Sequence, residues 1–124
     1  MDRNTGYSIL VVEDVEETRD GIEQLLWADG YTVMPVRDEK AAIVSSRQAP
    51  PDLVLIGLGV PVDELIPTTN LIRMRSGLSE AVPVVIFCFE ALEEGEEVAL
   101  EGNIYLTRPD NFNQLRVLLK RLLS

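Results

Sequence analysis

The chain has 124 residues, a length that suits one compact domain spanning 1–124. Its 21 acidic and 11 basic residues give a formal charge of −10, which repels nucleic acid unless basic residues are segregated into a patch, and no such patch is evident. Histidine is absent, which removes the commonest metal ligand, the usual general base and the physiological-pH switch, and disfavours most enzyme classes.

Apolar runs alternate with helical patterns along the chain. Met1-Asp2-Arg3-Asn4 leads into a short apolar run and then acid, unlike a secretory signal. Ser8 to Val12 reads as a first strand. Val15 to Ala28 reads as a helix with Thr18, Ile22, Leu25 and Leu26 on one face and Gly30 placed to end it. Trp27 is expected to pack there. Thr32 to Val36 reads as a second strand, and Asp38 as the cap of a short helix reaching about Arg47, where Pro50-Pro51 breaks it.

Leu53 to Ile56 is apolar without alternation, as in a strand covered on both faces. A loop with Gly57, Gly59 and Pro61 follows. A helix is expected from about Leu65 to Arg75, with Pro67 tolerated in its first turn. Asp63 is expected to cap or open that helix. Pro83 to Phe87 reads as a fourth strand, Ala91 to Leu100 as a short acidic helix, and Ile104 to Leu106 as a fifth strand. In the last helix, Asn111 to Leu123, residues Leu115, Leu118, Leu119 and Leu122 mark one buried face.

Five β-α units with short connections predict an α/β, doubly wound, parallel sheet with helices on both faces. No run of 18 apolar residues exists, so no membrane-spanning helix is expected. Cys88 is the only cysteine, which excludes an internal disulfide, and a cytoplasmic protein is the default expectation. In such a fold the functional residues lie just past the carboxyl ends of the strands. Those residues are Glu13 and Asp14; Gly57, Leu58 and Gly59; Cys88 and Phe89; and Thr107, Arg108 and Pro109.

This set, in this order, resembles the receiver domain of two-component response regulators. The resemblance covers essentially the whole chain. It rests on Ile9-Leu10-Val11-Val12-Glu13-Asp14, Pro51-Asp52-Leu53-Val54-Leu55-Ile56, Val82-Pro83-Val84-Val85-Ile86-Phe87 and Tyr105-Leu106-Thr107-Arg108-Pro109. It implies a flavodoxin-like, CheY-like (βα)5 fold with strand order 2-1-3-4-5. It also implies a pocket in which an acidic pair holds a divalent cation and an aspartate accepts a phosphoryl group. A hydroxyl and a lysine followed by a cis-proline bind that group.

Carried over residue by residue, the acidic pair is Glu13 and Asp14, and the proline is Pro109, with a cis Arg108–Pro109 bond implied. Cys88 stands at the hydroxyl position, Arg108 at the lysine position and Gly57 at the acceptor position. Glycine has no side chain to phosphorylate, so the pocket reads as degenerate. No catalytic residue and no cofactor are expected. Magnesium would be weak or absent, held at best by Glu13, Asp14 and a carbonyl such as that of Gly59.

Two carboxylates about 4 Å apart repel by roughly 4 kcal/mol at an effective dielectric near 20. Arg108 is the expected counter-charge, forked onto the acidic pair and locking the domain in one state; the alternative is that it points into solvent. Cys88 reads as a small buried filler rather than a redox sensor. The Phe89 ring is expected to crowd the pocket or lie over the adjoining helix.

No basic residue lies between Ser76 and Thr107, whereas the last helix carries Arg116, Lys120 and Arg121. In the family the fourth helix, fifth strand and fifth helix form the usual output face. Here that face would set an acidic edge beside a basic one, which a homodimer could match.

The expected function is a pseudo-receiver in signal transduction that binds a signalling partner, a histidine kinase or an output protein, without phosphorylation. Two alternatives are a phosphoreceiver using another acceptor and a cofactor-binding flavodoxin-like protein. Against the second, the acidic loop Glu13 to Glu17 repels a phosphate-bearing cofactor. A hydrolase is disfavoured by the lack of a Gly-x-Ser-x-Gly elbow and of histidine.

Overall fold

Three segments supply the middle of the sheet because almost every side chain in them is apolar. In a computed structural model, which describes residues 5–124, they are β1 (Ser8–Val12), β3 (Leu53–Ile56) and β4 (Val84–Phe87), buried along nearly their whole length. Met1 to Asn4, on which the reading of a missing secretory signal rests, lie outside the described residues. The remaining strands are β2 (Thr32–Val36), β5 (Glu97–Leu100) and β6 (Ile104–Thr107). They form a six-stranded sheet of order β2-β1-β3-β4-β6-β5. The first five in that order pair in parallel, and β5 runs antiparallel to β6 at the edge.

Alternation along the strands builds two cores. Leu10, Val12, Val54, Ile56, Val84 and Ile86 face α2 (Glu39–Gln48) and α3 (Val62–Ser76), where Ala42, Leu65 and Ile72 meet them. Ile9, Val11, Leu53, Leu55 and Val85 face α1 (Glu16–Ala28) and α4 (Phe112–Leu123), where Leu26, Leu115, Leu118 and Leu119 meet them. Leu123 completes this side, and Leu122 packs half-buried beside it. Two caps form as expected. Asp38 Oδ1 accepts the Ala41 N–H at 2.8 Å, and Asn111 Oδ1 accepts the Gln114 N–H at 3.0 Å.

The flavodoxin-like architecture is present, with four departures from the sequence reading. The segment 91–100 is not a helix. Gly95 turns the chain at φ 85°, and β5 then pairs with β6 through a tight turn at Glu101, Gly102 and Asn103, where φ is 79° at Gly102 and 61° at Asn103. A short glycine-containing loop between two strands is a hairpin signal, and it overrides the helical tendency of the glutamates. A strand edge therefore stands where a helix was expected.

The helix α3 starts at Val62, so Pro67 lies past its first turn. Pro61 presets the entry, Asp63 and Glu64 place negative charge in the first turn, and Thr69 Oγ1 donates to the Leu65 carbonyl at 2.9 Å. On α1 the buried stripe narrows to Leu26 with Ile22 half-buried, and Thr18 and Leu25 are exposed. Trp27 is likewise not packed. It is 73% exposed, one residue and about 100° around the helix from Leu26. Gly30, at φ 93°, ends this helix as expected.

Arg73 fastens the hairpin to the rest of the domain. Its guanidinium is buried and donates to the carbonyls of Gly102 and of Val82, the latter at 2.7 Å. Burial pushes its pKa down from the usual arginine value. Replacing it strips donors from half-buried carbonyls. Arg73→Met is expected to lower the unfolding free energy by about 3 kcal/mol, measured by urea denaturation, with faster amide exchange at Gly102 and Asn103.

Candidate functional site

Parallel register brings four strand ends to one edge of the sheet. Val12 is level with Ile56, Ile56 with Ile86, and Phe87 with Thr107. The next residue of each strand is held by a further rung. Glu13 N–H donates to the Val36 carbonyl at 3.0 Å, Gly57 N–H to Val12 at 2.7 Å, and Cys88 N–H to Thr107 at 3.0 Å. Glu13, Gly57, Cys88 and Arg108 are thus placed by backbone alone.

The side chains then divide. Glu13 is buried, at 6% exposure, and its Oε2 accepts the Val15 N–H at 3.0 Å. Its Oε1 lies over Gly57, only 2.7 Å from where a Cβ on that glycine would stand, and Phe87 Cδ2 is 3.3 Å from the same point. The volume in which an acceptor side chain would start is filled by the Glu13 carboxyl group. Burial is the main cause raising the Glu13 pKa above the usual glutamate value; the neighbouring Asp14 adds to the rise, and the Val15 N–H opposes it. Asp14 is exposed and turns toward Gly59.

Arg108 does not reach the acidic pair. Its NH1 donates to the carbonyls of Leu92 at 3.0 Å and Phe89 at 3.4 Å, and its guanidinium carbon lies 6.0 Å from the centre of the Phe89 ring. The hairpin explains the change. The Arg108 N–H and carbonyl are tied to Glu96 and Gly95 at 3.0 and 2.7 Å, which directs the side chain onto the turn after β4. The expected lock is absent, and so is the solvent-pointing alternative. No cis peptide bond occurs among the described residues, so the Arg108–Pro109 bond is trans. The carbonyl before Pro109 is held in the hairpin by Gly95.

Cys88 is buried among the residues of the first core, as a small apolar filler would be. Asp63 sits in the first turn of α3, on a different element from the acidic pair. Of the basic residues on α4, Arg116 pairs with Asp29 at 2.7 Å and Arg121 with Glu97, both within one chain. One acid of the expected acidic edge, Glu97, is therefore paired within the chain, while Arg116 turns to Asp29 on the other side of α4.

Glu13, Gly57, Gly59, Phe89 and Pro109 line a cavity of about 420 Å³ whose other walls include Ile22, Phe87 and Phe112. Phe87 and Phe89 stack at 6.2 Å between ring centres. Phe89 was expected at the pocket from its place after β4, whereas the Phe87 and Phe112 parts of the aromatic wall were not. The donor set does not fit a magnesium site. Gly57 supplies no carboxylate, Glu13 is already engaged by Val15, and no cluster of three or more Asp, Glu, His or Cys able to hold a metal occurs among the described residues.

Comparison with known proteins agrees with this architecture. The sequence is 32% identical over 111 residues to the uncharacterized transcriptional regulatory protein YrkP of Bacillus subtilis (strain 168), covering 88% of this chain and 46% of that protein. It is 26% identical over 115 residues to the KDP operon transcriptional regulatory protein KdpE of Escherichia coli (strain K12), covering 91% and 49%. The chain therefore spans about half the length of these curated relatives. The receiver domain of the sensor histidine kinase PA1611 from Pseudomonas aeruginosa PAO1 superposes with a TM-score of 0.70 at 27% identity, covering 94% of this chain and 97% of that one. That structure has a magnesium ion coordinated in its active site cleft. No family model matches the sequence.

The chain folds as a CheY-like response-regulator receiver domain. No helix among the described residues is long and apolar enough to cross a membrane.

The raised pKa of Glu13 has a measurable consequence. The folded state holds the proton more tightly than the unfolded chain does. The stability tied to this group is therefore complete below the ordinary glutamate range and is lost as pH rises through the folded value. Glu13→Gln is expected to melt above the parent near neutrality and to converge with it in acid, as read by thermal unfolding at both pH values.

Proposed function

We propose that this receiver domain acts in two-component-type signalling without being phosphorylated, by binding a partner protein. The reading treats residues 1–124 as one cytoplasmic unit and takes the partner to be a histidine kinase or an output protein. The observation that supports it most is the Glu13 carboxyl group standing over Gly57, where an acceptor side chain would need to begin. An anionic phosphoryl donor approaching that edge meets a buried acid and an exposed one, with no arginine or lysine ion-paired to either among the described residues. Magnesium affinity is weak at best in this reading, because a carboxylate is missing from the set.

The interaction face would be formed by β5, β6 and α4. It differs from the face expected from sequence because an open strand edge with Glu96, Glu97 and Glu101 replaces a helix. A homodimer through this face would have to form without the Glu97–Arg121 match, which is used within the chain.

The test is incubation with a small-molecule phosphodonor and magnesium, followed by intact-mass measurement. The expected result is no phosphoryl adduct on the parent chain. A stoichiometric single adduct would establish a working receiver with another acceptor and remove this reading. Gly57→Asp gives the complementary prediction. The added carboxylate crowds Glu13, so the variant should melt below the parent without metal and recover in millimolar magnesium, whereas the parent's melting temperature should scarcely respond.

A further inference from the structure

Among the described residues the buried carboxylate of Glu13 has no ion-pair partner, and it forms part of the lining of an aromatic cavity. Three arginines of this part of the fold are engaged by other groups. Arg108 is engaged by the carbonyls of Leu92 and Phe89. Arg19 donates through NH1 to the main-chain carbonyl of Glu13 at 2.9 Å and makes no ion pair with its carboxylate. Arg116, whose guanidinium lies 5.0 Å from the Phe112 ring centre, is paired with Asp29. Of the two carboxylate oxygens, Oε2 takes the Val15 N–H and Oε1 faces the space above Gly57.

Phe87, Phe89 and Phe112 stand in the lining of the same cavity, whose volume of about 420 Å³ falls within the range of small-molecule sites. Its lining contains no lysine, arginine or histidine. Aromatic faces attract cations through their quadrupole, and a carboxylate among them adds a point charge of the matching sign. The whole chain reinforces this with its net charge of −10, which draws cations in and keeps phosphate out.

We propose that this cavity binds a small organic cation, with a primary ammonium group on the Glu13 carboxylate and an aryl body against the rings of Phe87, Phe89 and Phe112. The ligand would supply the positive charge that metal and lysine supply in a phosphorylatable receiver. The aryl body is favoured over a simple alkyl chain because three of the lining residues are phenylalanines. Access is available past Phe89, which is 61% exposed. The proposal rests on the reading that Gly57 leaves this strand end without an acceptor, but the two fail separately. Phosphodonor labelling decides that reading, and ligand titration decides this one.

The experiment is an NMR titration of the isotope-labelled chain with 2-phenylethylammonium, its neutral counterpart 2-phenylethanol, and n-butylammonium. Saturable shifts at the Gly57, Gly59 and Leu115 amides are expected with 2-phenylethylammonium. Binding of the alcohol should be about tenfold weaker, as should that of the alkylammonium. Glu13→Gln should weaken 2-phenylethylammonium by about tenfold and leave the alcohol unchanged. Phe89→Ala, at a residue that is 61% exposed, should weaken it several-fold. Equal binding of ammonium and alcohol would overturn the proposal, as would shifts confined to the acidic segment 93–97 or no saturable shift at all.

Discussion

The carboxyl group of Glu13 occupies the space that the glycine at position 57 leaves open. A side chain on residue 57 would begin 2.7 Å from Glu13 Oε1, closer than real Cβ contacts come. Removing that side chain lets the glutamate fold back over the end of β3 and take the Val15 N–H. The acid is then shielded from water, which raises its pKa and draws it out of the donor set that a divalent cation would use. A single missing Cβ thus changes the position, the proton affinity and the ligand capacity of the residue beside it. The departures at Cys88 and Arg108 are consistent with this. Neither residue turns a polar group toward a phosphoryl group, the first because it is packed in the core and the second because it is held by carbonyls.

The second constraint is the hairpin of β5 and β6. It fixes Arg108 by both its N–H and its carbonyl, and so takes the one cation after the last parallel strand away from the acidic pair. The Leu92 and Phe89 carbonyls that receive the guanidinium belong to the turn after β4. The hairpin is in turn anchored by Arg73 from α3 through the Gly102 carbonyl. The absence of Arg108 from Glu13 is therefore a consequence of secondary structure on the far side of β4.

Much of the fold was legible in the sequence, because apolar runs such as Leu53 to Ile56 and Val84 to Phe87 admit few alternatives once both faces must be covered. The caps Asp38 and Asn111 were legible for a similar reason, since a short polar side chain before a periodic segment satisfies an orphan N–H. The identity of the site was legible as positions: Glu13, Gly57, Cys88 and Arg108 do arrive at one edge. Their orientations were not. Where Arg108 points depends on the chain between Phe89 and Gly95, and from Ala91 on that segment was read as part of a helix running to Leu100. Glutamate-rich composition favoured a helix there, while Gly95 and the Gly102-Asn103 turn carried the deciding information. Trp27 was misplaced by the opposite error, an assumption that a large aromatic residue near a buried leucine shares its face.

The replaced helix also changes what kind of surface the domain can offer. A helix presents side chains and keeps its backbone to itself, whereas an edge strand leaves N–H and C=O groups unpaired on its outer side. Natural edges of this kind are protected by charge, and β5 is flanked by Glu93, Glu94, Glu96, Glu97 and Glu101. Two copies meeting antiparallel along this strand would bring those acids together, which opposes self-association by continuous sheet. Among the described residues, Glu97 is the one of these acids held in an ion pair, with Arg121 of the same chain. A partner at this edge must therefore bring positive charge, either along a strand that adds to the sheet or on a surface that covers it. The electrostatics that would repel a second copy would also steer such a partner toward the edge.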